Sequence, residues 1–331
     1  MPFPLRTSTM TRLPMHSSAP YLMALCMIGI LLFGCTGEQP TTSALSADGL
    51  AGAELPVDST FLQDPLWDDG QAEIAFYEVN RSYNVYERPE PSSFTVGTYL
   101  VKHNFSRDRM TKTTDGSGVA AFKSALFYEV NSGSYQYKRN WVVNARRSDL
   151  APIKQSFTSF DWCSNLYREY AFPPDGNVVF RKRSDDYGNA ERSLEIPQGR
   201  SSRAIPPAHV PLLIRAIPGD DTSDVSFTVL RPDGPPIAAR TSFIDTTTVE
   251  TEAGAFQAER IRVAYDAPVP SLIAERSASS EIYTRSITPD RRLLSIRAED
   301  NSYEMTLVEH VRSAYWSTNI WDVLEQVDAR P

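Results

Sequence analysis

Asp161 and Glu169 are the two carboxylates whose placement invites chemistry. They fall on neighbouring strand candidates, and facing one another they would be the general acid and base that a hydrolase of glycan or lipid needs. The favoured reading is a solvated strand face and a turn, with the hydrolase as its alternative. Asp185-Asp186-Tyr187-Gly188-Asn189 supplies oxygen ligands for calcium but lacks the spacing of a known loop. His103, His209 and His310 stand far apart, with no H-x-x-x-H and no C-x-x-C, so no metal site is expected. No glycine-rich loop precedes a helix and no G-x-S-x-G occurs, so neither a phosphate cradle nor a serine hydrolase elbow is read, and no cofactor is expected. The balance favours a protein that is not an enzyme.

The other chemistry is aromatic. Trp141, Trp162, Phe157, Phe160, Tyr135, Tyr137, Tyr167 and Tyr170 crowd into one stretch. On alternating strands some of them must face out if others face in. They read as core and cross-strand pairs, or as the wall of an apolar cavity. Arg139, Arg146 and Arg168 stand among them, suited to an anionic headgroup or a carboxylate. The candidate ligand-binding set is Trp141, Trp162, Tyr137, Tyr167, Arg139 and Arg168, and the candidate ligand is apolar or amphipathic.

The elements that must position these residues are strands. Residues 72–81, 94–105, 121–131, 134–144, 153–162, 165–172 and 178–183 are rich in β-branched and aromatic types and separated by turn residues. Gly97 is read as a bulge, Ser132-Gly133 as a tight hairpin turn, and Pro173-Pro174-Asp175-Gly176-Asn177 as a turn. Residues 207–217, PAHVPLLIRAI, suggest a short helix, and Pro211 argues that it starts late or not at all. Strands follow at 225–230 and 237–244. A hairpin turns about Ala253-Gly254, a three-stranded meander covers 282–315, and 317–327 reads as a closing helix. A dozen or more short strands with turns between them predict a mainly β fold: an antiparallel curled sheet, half-barrel, barrel or sandwich with a few short helices. Residues 61–200 and 206–331 form two β units expected to be continuous.

Upstream, Tyr21 to Cys35 reads YLMALCMIGILLFGC, an uncharged apolar run preceded by Arg6 and Arg12. It is too short to span a bilayer, which takes ~20 residues, and has the n-region, h-region and small-residue end of a secretory signal. Glycine followed by cysteine resembles the lipobox of bacterial lipoproteins. The resemblance implies cleavage after residue 34 and a lipid on Cys35, with Met1, Met10 or Met15 as start. Thr36, rather than aspartate, follows the cysteine, which under the enterobacterial rule implies the outer membrane, facing the periplasm. Residues 35–60 are small and polar and read as a flexible tether. Losing Arg6 and Arg12 would take the net charge of −8 to about −10. The remaining basic runs, Arg146-Arg147, Arg181-Lys182-Arg183 and Arg291-Arg292, are scattered, so nucleic acid is not an expected partner. The expected partners are the membrane, through Cys35, and a lipid or envelope protein. Cys163 would be the one thiol left, excluding an internal disulfide, and reads as a small buried hydrophobe rather than a nucleophile.

Two stretches carry a second resemblance. One is Trp67-Asp68-Asp69-Gly70-Gln71-Ala72-Glu73 with Gly97-Thr98-Tyr99-Leu100-Val101-Lys102 and Trp162-Cys163. The other is Glu250-Thr251-Glu252-Ala253-Gly254-Ala255-Phe256 with Ile261, Tyr283, Asp290 and Ala314-Tyr315-Trp316. Together they resemble uncharacterised bacterial envelope proteins, a domain-of-unknown-function family similar in fold to the Lol lipoprotein carriers. The resemblance implies a curled antiparallel sheet with helices in its mouth, and no reaction.

Overall fold

A computed structural model describes residues 55–82, 91–132, 135–162, 164–174, 177–194, 204–219, 224–273 and 277–317. They belong to one compact unit, Ser46–Pro331. Cys35, residues 35–54 of the expected tether, Cys163, the turn at residues 133–134 and the closing-helix segment from residue 318 onward lie outside the described residues. The last part of the expected tether, residues 55–60, is described and belongs to the fold: Leu55 is buried, and Asp58 caps a short helix that begins at Ser59. Among the described residues no helix is long and apolar enough to cross a membrane.

The chain is mainly β, as its residue types predict. The first half supplies β1 (Ala72–Arg81), β2 (Ser92–Ser106), β3 (Thr111–Thr113), β4 (Val119–Ser132), β5 (Tyr135–Arg146), β6 (Pro152–Phe160), β7 (Asn165–Ala171), β8 (Val178–Ser184) and β9 (Ala190–Leu194). The second half supplies β10 (Ala204–Ile205), β11 (Ser226–Val229), β12 (Ile237–Thr251), β13 (Gly254–Pro270), β14 (Ser277–Ser286), β15 (Leu293–Ala298) and β16 (Tyr303–Ser313). All lie in one sheet, ordered β10-β11-β12-β13-β14-β15-β16-β1-β2-β4-β5-β6-β7-β8-β9, with β3 on β2. Thus β1 is central: the chain meanders away from it to β9, crosses to the far edge, and meanders back until β16 pairs antiparallel with β1. The pairing is antiparallel except at β10–β11.

Centrality explains β1. Ala75, Tyr77 and Val79 face the main core, while Ala72, Ile74 and Phe76 pack on the other face with Tyr99, Val101, Val311 and Tyr315. A strand covered on both faces reads as a continuous apolar run. The bulge lies between Phe76 and Tyr77, against β16. It is not at Gly97, where the register runs on unbroken. Gly97 is glycine for another reason: a Cβ there would sit 2.4 Å from the Phe127 ring.

The sheet curls until its two edges approach. Tyr170, Phe172, Val178 and Phe180 from the β7–β8 side cluster with Ala204 and Leu230 from the β10–β11 side, and Arg192 on β9 donates to the Pro232 carbonyl. No strand pairing joins β9 to β10 among the described residues. Inside the curl lies α2 (Val210–Ala216), entered through a 3-10 turn at Pro207–His209. Pro211 occupies its first turn, where a missing N–H leaves no bond unmade. Six of its seven residues are buried, the signature of a helix surrounded by core. Carbonyls at its C-terminal end find donors outside the helix. Arg285 Nη1 donates to Ile217 O at 2.8 Å and also to Ile214 O, and Arg291 Nη1 donates to Ile217 O at 2.8 Å. The Asp58 N–H, just ahead of α1 (Ser59–Gln63), donates to Ala216 O at 2.7 Å.

Candidate functional site

The inner wall of β4–β8 gathers four of the six candidate ligand-binding residues. Alternation along β5 puts Tyr137, Arg139, Trp141 and Val143 on this face. Trp141 is paired with Phe157 on β6, their rings 4.2 Å apart. Arg168 on β7 is opposite Phe157 and lays its guanidinium 5.8 Å from that ring; Arg139 lies 5.5 Å from the Tyr137 ring. The loop after β13 crosses this wall, where Leu272 O accepts from Trp141 Nε1 at 3.2 Å and Tyr128 OH at 3.3 Å. So Trp141, Tyr137, Arg139 and Arg168 share a face, and two expected members do not join them. Tyr167 alternates to the outer face and donates to Glu169 at 2.6 Å. Trp162 sits in the β6–β7 turn, 81% exposed. Arg146 is engaged by Asp149.

The carboxylate pair does not form. Glu169 is in register with Ser156, five residues along from Asp161, a separation of roughly 16 Å at 3.3 Å per residue. Paired carboxylates act within roughly 5–9.5 Å. Asp161 Oδ1 accepts from Ser164 N at 2.9 Å and shapes the turn. Glu169 is buried and ringed by Lys154 at 2.8 Å, Arg181 at 3.0 Å and Tyr167. Burial works to raise its pKa, but these donors hold it below the usual carboxylate range, so it stays ionised and cannot serve as a general acid. Asp185 spends its carboxylate on Asn165, at 3.0 Å from the N–H and 3.1 Å from Nδ2. No three His, Cys, Asp or Glu side chains converge on a metal-sized site among the described residues.

Between α2 and this wall remains a cavity of about 50 Å³, lined among others by Glu73, Tyr77, Thr98, Trp141, Leu212 and Arg215. That is room for a water or two, against roughly 300–1,000 Å³ for a drug-sized ligand. Its polar end is an ion pair absent from the sequence reading. Arg215 on α2 donates to Glu73 on β1 through both Nη atoms, at 2.7 and 2.8 Å, and also to Asp290 O. Burial works to lower the Arg215 pKa, but Glu73 outweighs it and the net direction is up. A glutamate in AEIAFYEV and an arginine in PLLIRAI were the signals: charges inside apolar runs need partners.

A second buried acid, Glu281, accepts from Tyr265 and Tyr283 at 2.8 Å each and from Tyr303. Burial, then the adjacent Glu281 charge, raises all three tyrosine pKa values well above 10, so the phenols remain donors.

His209, ahead of α2, is fully buried, and burial pushes its imidazole down to about 4; the nearby Leu150 carbonyl favours the charged form without offsetting this. It is neutral in the fold at pH 7. The unfolded chain takes up its proton near pH 6.5, so stability is lost as pH falls from about 6.5 towards 4. The loss is about 3 kcal/mol. Urea melts across that range should show the loss in the wild type and a flatter limb in His209→Gln. An unchanged limb would sink the assignment.

Fold and site together define a class: an antiparallel, barrel-like β domain whose sheet curls around a short buried helix and whose polar interior is matched by ion pairs and tyrosines. No protein-family profile matches the chain, and no curated protein matches it. Two solved structures are similar in part. One is a β-barrel-like protein of the domain of unknown function DUF1849 from Brucella abortus, at 9% identity and TM-score 0.45, covering 73% of this chain and 97% of that one. The other is a putative exported protein with a YmcC-like fold from Bacteroides fragilis, at 10% identity and TM-score 0.23, covering 72% and 95%. At that distance neither transfers a role.

Proposed function

We propose that this chain is a lipid-anchored, non-catalytic domain of the bacterial envelope, held on the outer membrane through Cys35, that works by surface contact with an envelope protein. The observation that carries this reading is the interior: α2 occupies the space a carrier would keep for an acyl chain, and the cavity between α2 and the β4–β8 wall is about 50 Å³. The outside offers contact instead. Phe160 at the end of β6, Trp162 on the β6–β7 turn and Tyr187 on the β8–β9 turn are 50%, 81% and 71% exposed, and the Asn165–Asp185 hydrogen bonds tie the two turns together. Exposed aromatic side chains on a fixed frame are the usual anchors of protein interfaces. Leu55, where the described chain begins, is near α2's C-terminus, and Asp58 pairs with Arg291 of the β14–β15 turn. That turn is at the end of the strands opposite the aromatic tip, so a tether leaving there lets the tip point away from the anchored bilayer.

The test is photo-crosslinking of the full chain in its native envelope, with the reactive residue at Trp162 and, as control, at exposed Ile287. A discrete protein adduct from position 162 alone is expected, together with loss of the lipid mass in Cys35→Ala. No adduct at 162, with a lipid that co-purifies in native mass spectrometry and is lost in Trp141→Ala, would return the protein to the carriers.

A further inference from the structure

The outer and inner faces of β7 and β8 treat charge differently. On the outer face Glu169 neutralises Arg181 and Lys154. One residue along each strand, Arg168 and Lys182 are direct cross-strand partners on the inner face, and both are half-buried. Neither makes an ion pair or hydrogen bond with a described residue, and Arg168 Nε is buried without a partner. Like charges placed directly opposite repel, and half-buried ones are poorly screened. Elsewhere the buried cations are matched, Arg215 by Glu73 and Arg285 by Glu259.

A second observation lies two residues on. Tyr170, on the same face as Arg168, is 2% exposed and its hydroxyl has no partner. The charges whose fields reach it are Arg192, Arg168 and one acid, Asp233. Arg192 lies over Phe180, the cross-strand partner of Tyr170. The Phe157 ring beneath Arg168 keeps the floor apolar, which strengthens any charge held there. An unspent hydroxyl within the field of Arg168, whose cross-strand neighbour Lys182 is likewise unpaired, is a donor set lacking its acceptor.

We propose that the inner face of β7 and β8 binds a phosphate group. The Arg168 guanidinium takes two of its oxygens as a fork, the Lys182 ammonium takes a third, and the Tyr170 hydroxyl donates from below. Bridging by a dianion turns the Arg168–Lys182 repulsion into attraction. The phosphate comes from a soluble ester or a phospholipid headgroup; this site requires neither the anchor nor a protein partner.

The test is thermal unfolding of the full chain in non-ionic detergent, titrated with inorganic phosphate, with sodium chloride at matched ionic strength, and with short-chain dihexanoylphosphatidic acid. Phosphate should raise the melting temperature by several degrees where chloride does not. Lys182→Gln should weaken the response at least tenfold while melting, without phosphate, no lower than the wild type, since a repulsion has been removed. Tyr170→Phe should weaken it too. Binding of the short-chain lipid at least tenfold tighter than phosphate assigns a headgroup; equal binding assigns a soluble ester. No shift with either probe, a shift reproduced by chloride, or an undiminished response in Lys182→Gln overturns the proposal.

Discussion

Glu73→Ala is expected to lower folding stability by about 3–5 kcal/mol, the cost of leaving one member of a buried ion pair without its partner. Both side chains are below a tenth exposed, so bulk solvent does not screen the charge left behind. The remaining guanidinium would keep the Asp290 carbonyl and the rings of Phe61 and Trp67, each 5.6 Å away, and the field of the Asp290 carboxylate, but no carboxylate bonded to it. The same principle predicts a rescue. Replacing both residues with apolar ones, as in Glu73→Leu with Arg215→Met, should recover most of the loss, because taking two charges out of water costs nearly as much as their attraction returns. Urea melts of the two single variants and the double variant form the cycle. Additive losses would show that the pair is not coupled. If α2 owes its place to this pair, Glu73→Ala should also raise hydrogen exchange at Leu212–Ala216 ahead of the strands.

How much of this was legible in the sequence depends on the range of the interaction. β1 was readable to the residue, because residue types and flanking turns are local. So was the late start of α2, since Pro211 fits only its first turn. The partner of Glu73 was not: Arg215 stands 142 positions away, and only the pairing of β16 with β1 and the return of α2 into the curl bring them together. Asp161 and Glu169 failed for a different reason. They do belong to one hairpin, but adjacency of strands says nothing about register, and register separates them. The separation of Tyr167 from Arg168 is local and legible. Tyr167 and Arg168 are consecutive on a strand, so they must face opposite ways, and no one face could hold both. Gly97 stands out within its strand, but its reason is not local, because the Phe127 ring that fills the space above it is a tertiary fact.

Trp67→Ala is expected to cost a further about 3–5 kcal/mol, the range for emptying a large aromatic site in a core. Trp67 is the keystone of the segment ahead of β1. Its Nε1 donates to Phe61 O at 2.7 Å, and its ring meets Phe61 and Phe122 edge-on at 5.4 and 5.5 Å. The guanidinium groups of Arg215 and Arg312 each lie 5.6 Å from it. The flanking aspartates aim this segment rather than hold it. Asp68 takes a bidentate Arg147 at 2.8 and 2.9 Å and also Lys102, and Asp69 takes Arg312. Arg147, then Lys102, holds the Asp68 carboxyl well below its usual range. Yet both carboxylates remain open to solvent, where such pairs contribute about 0–1 kcal/mol; Asp69→Asn should therefore cost under about 1 kcal/mol. Trp67→Ala also uncovers the face of Arg215, so its loss should not add simply to that of Glu73→Ala. Residues sharing a contact couple by about 0.5–3 kcal/mol, and the double variant should fall short of the sum of the singles. A Trp67→Ala cost below about 1 kcal/mol, or strict additivity with Glu73→Ala, would mean that the Trp-Asp-Asp-Gly run only rests against the sheet and that its role must be sought outside packing.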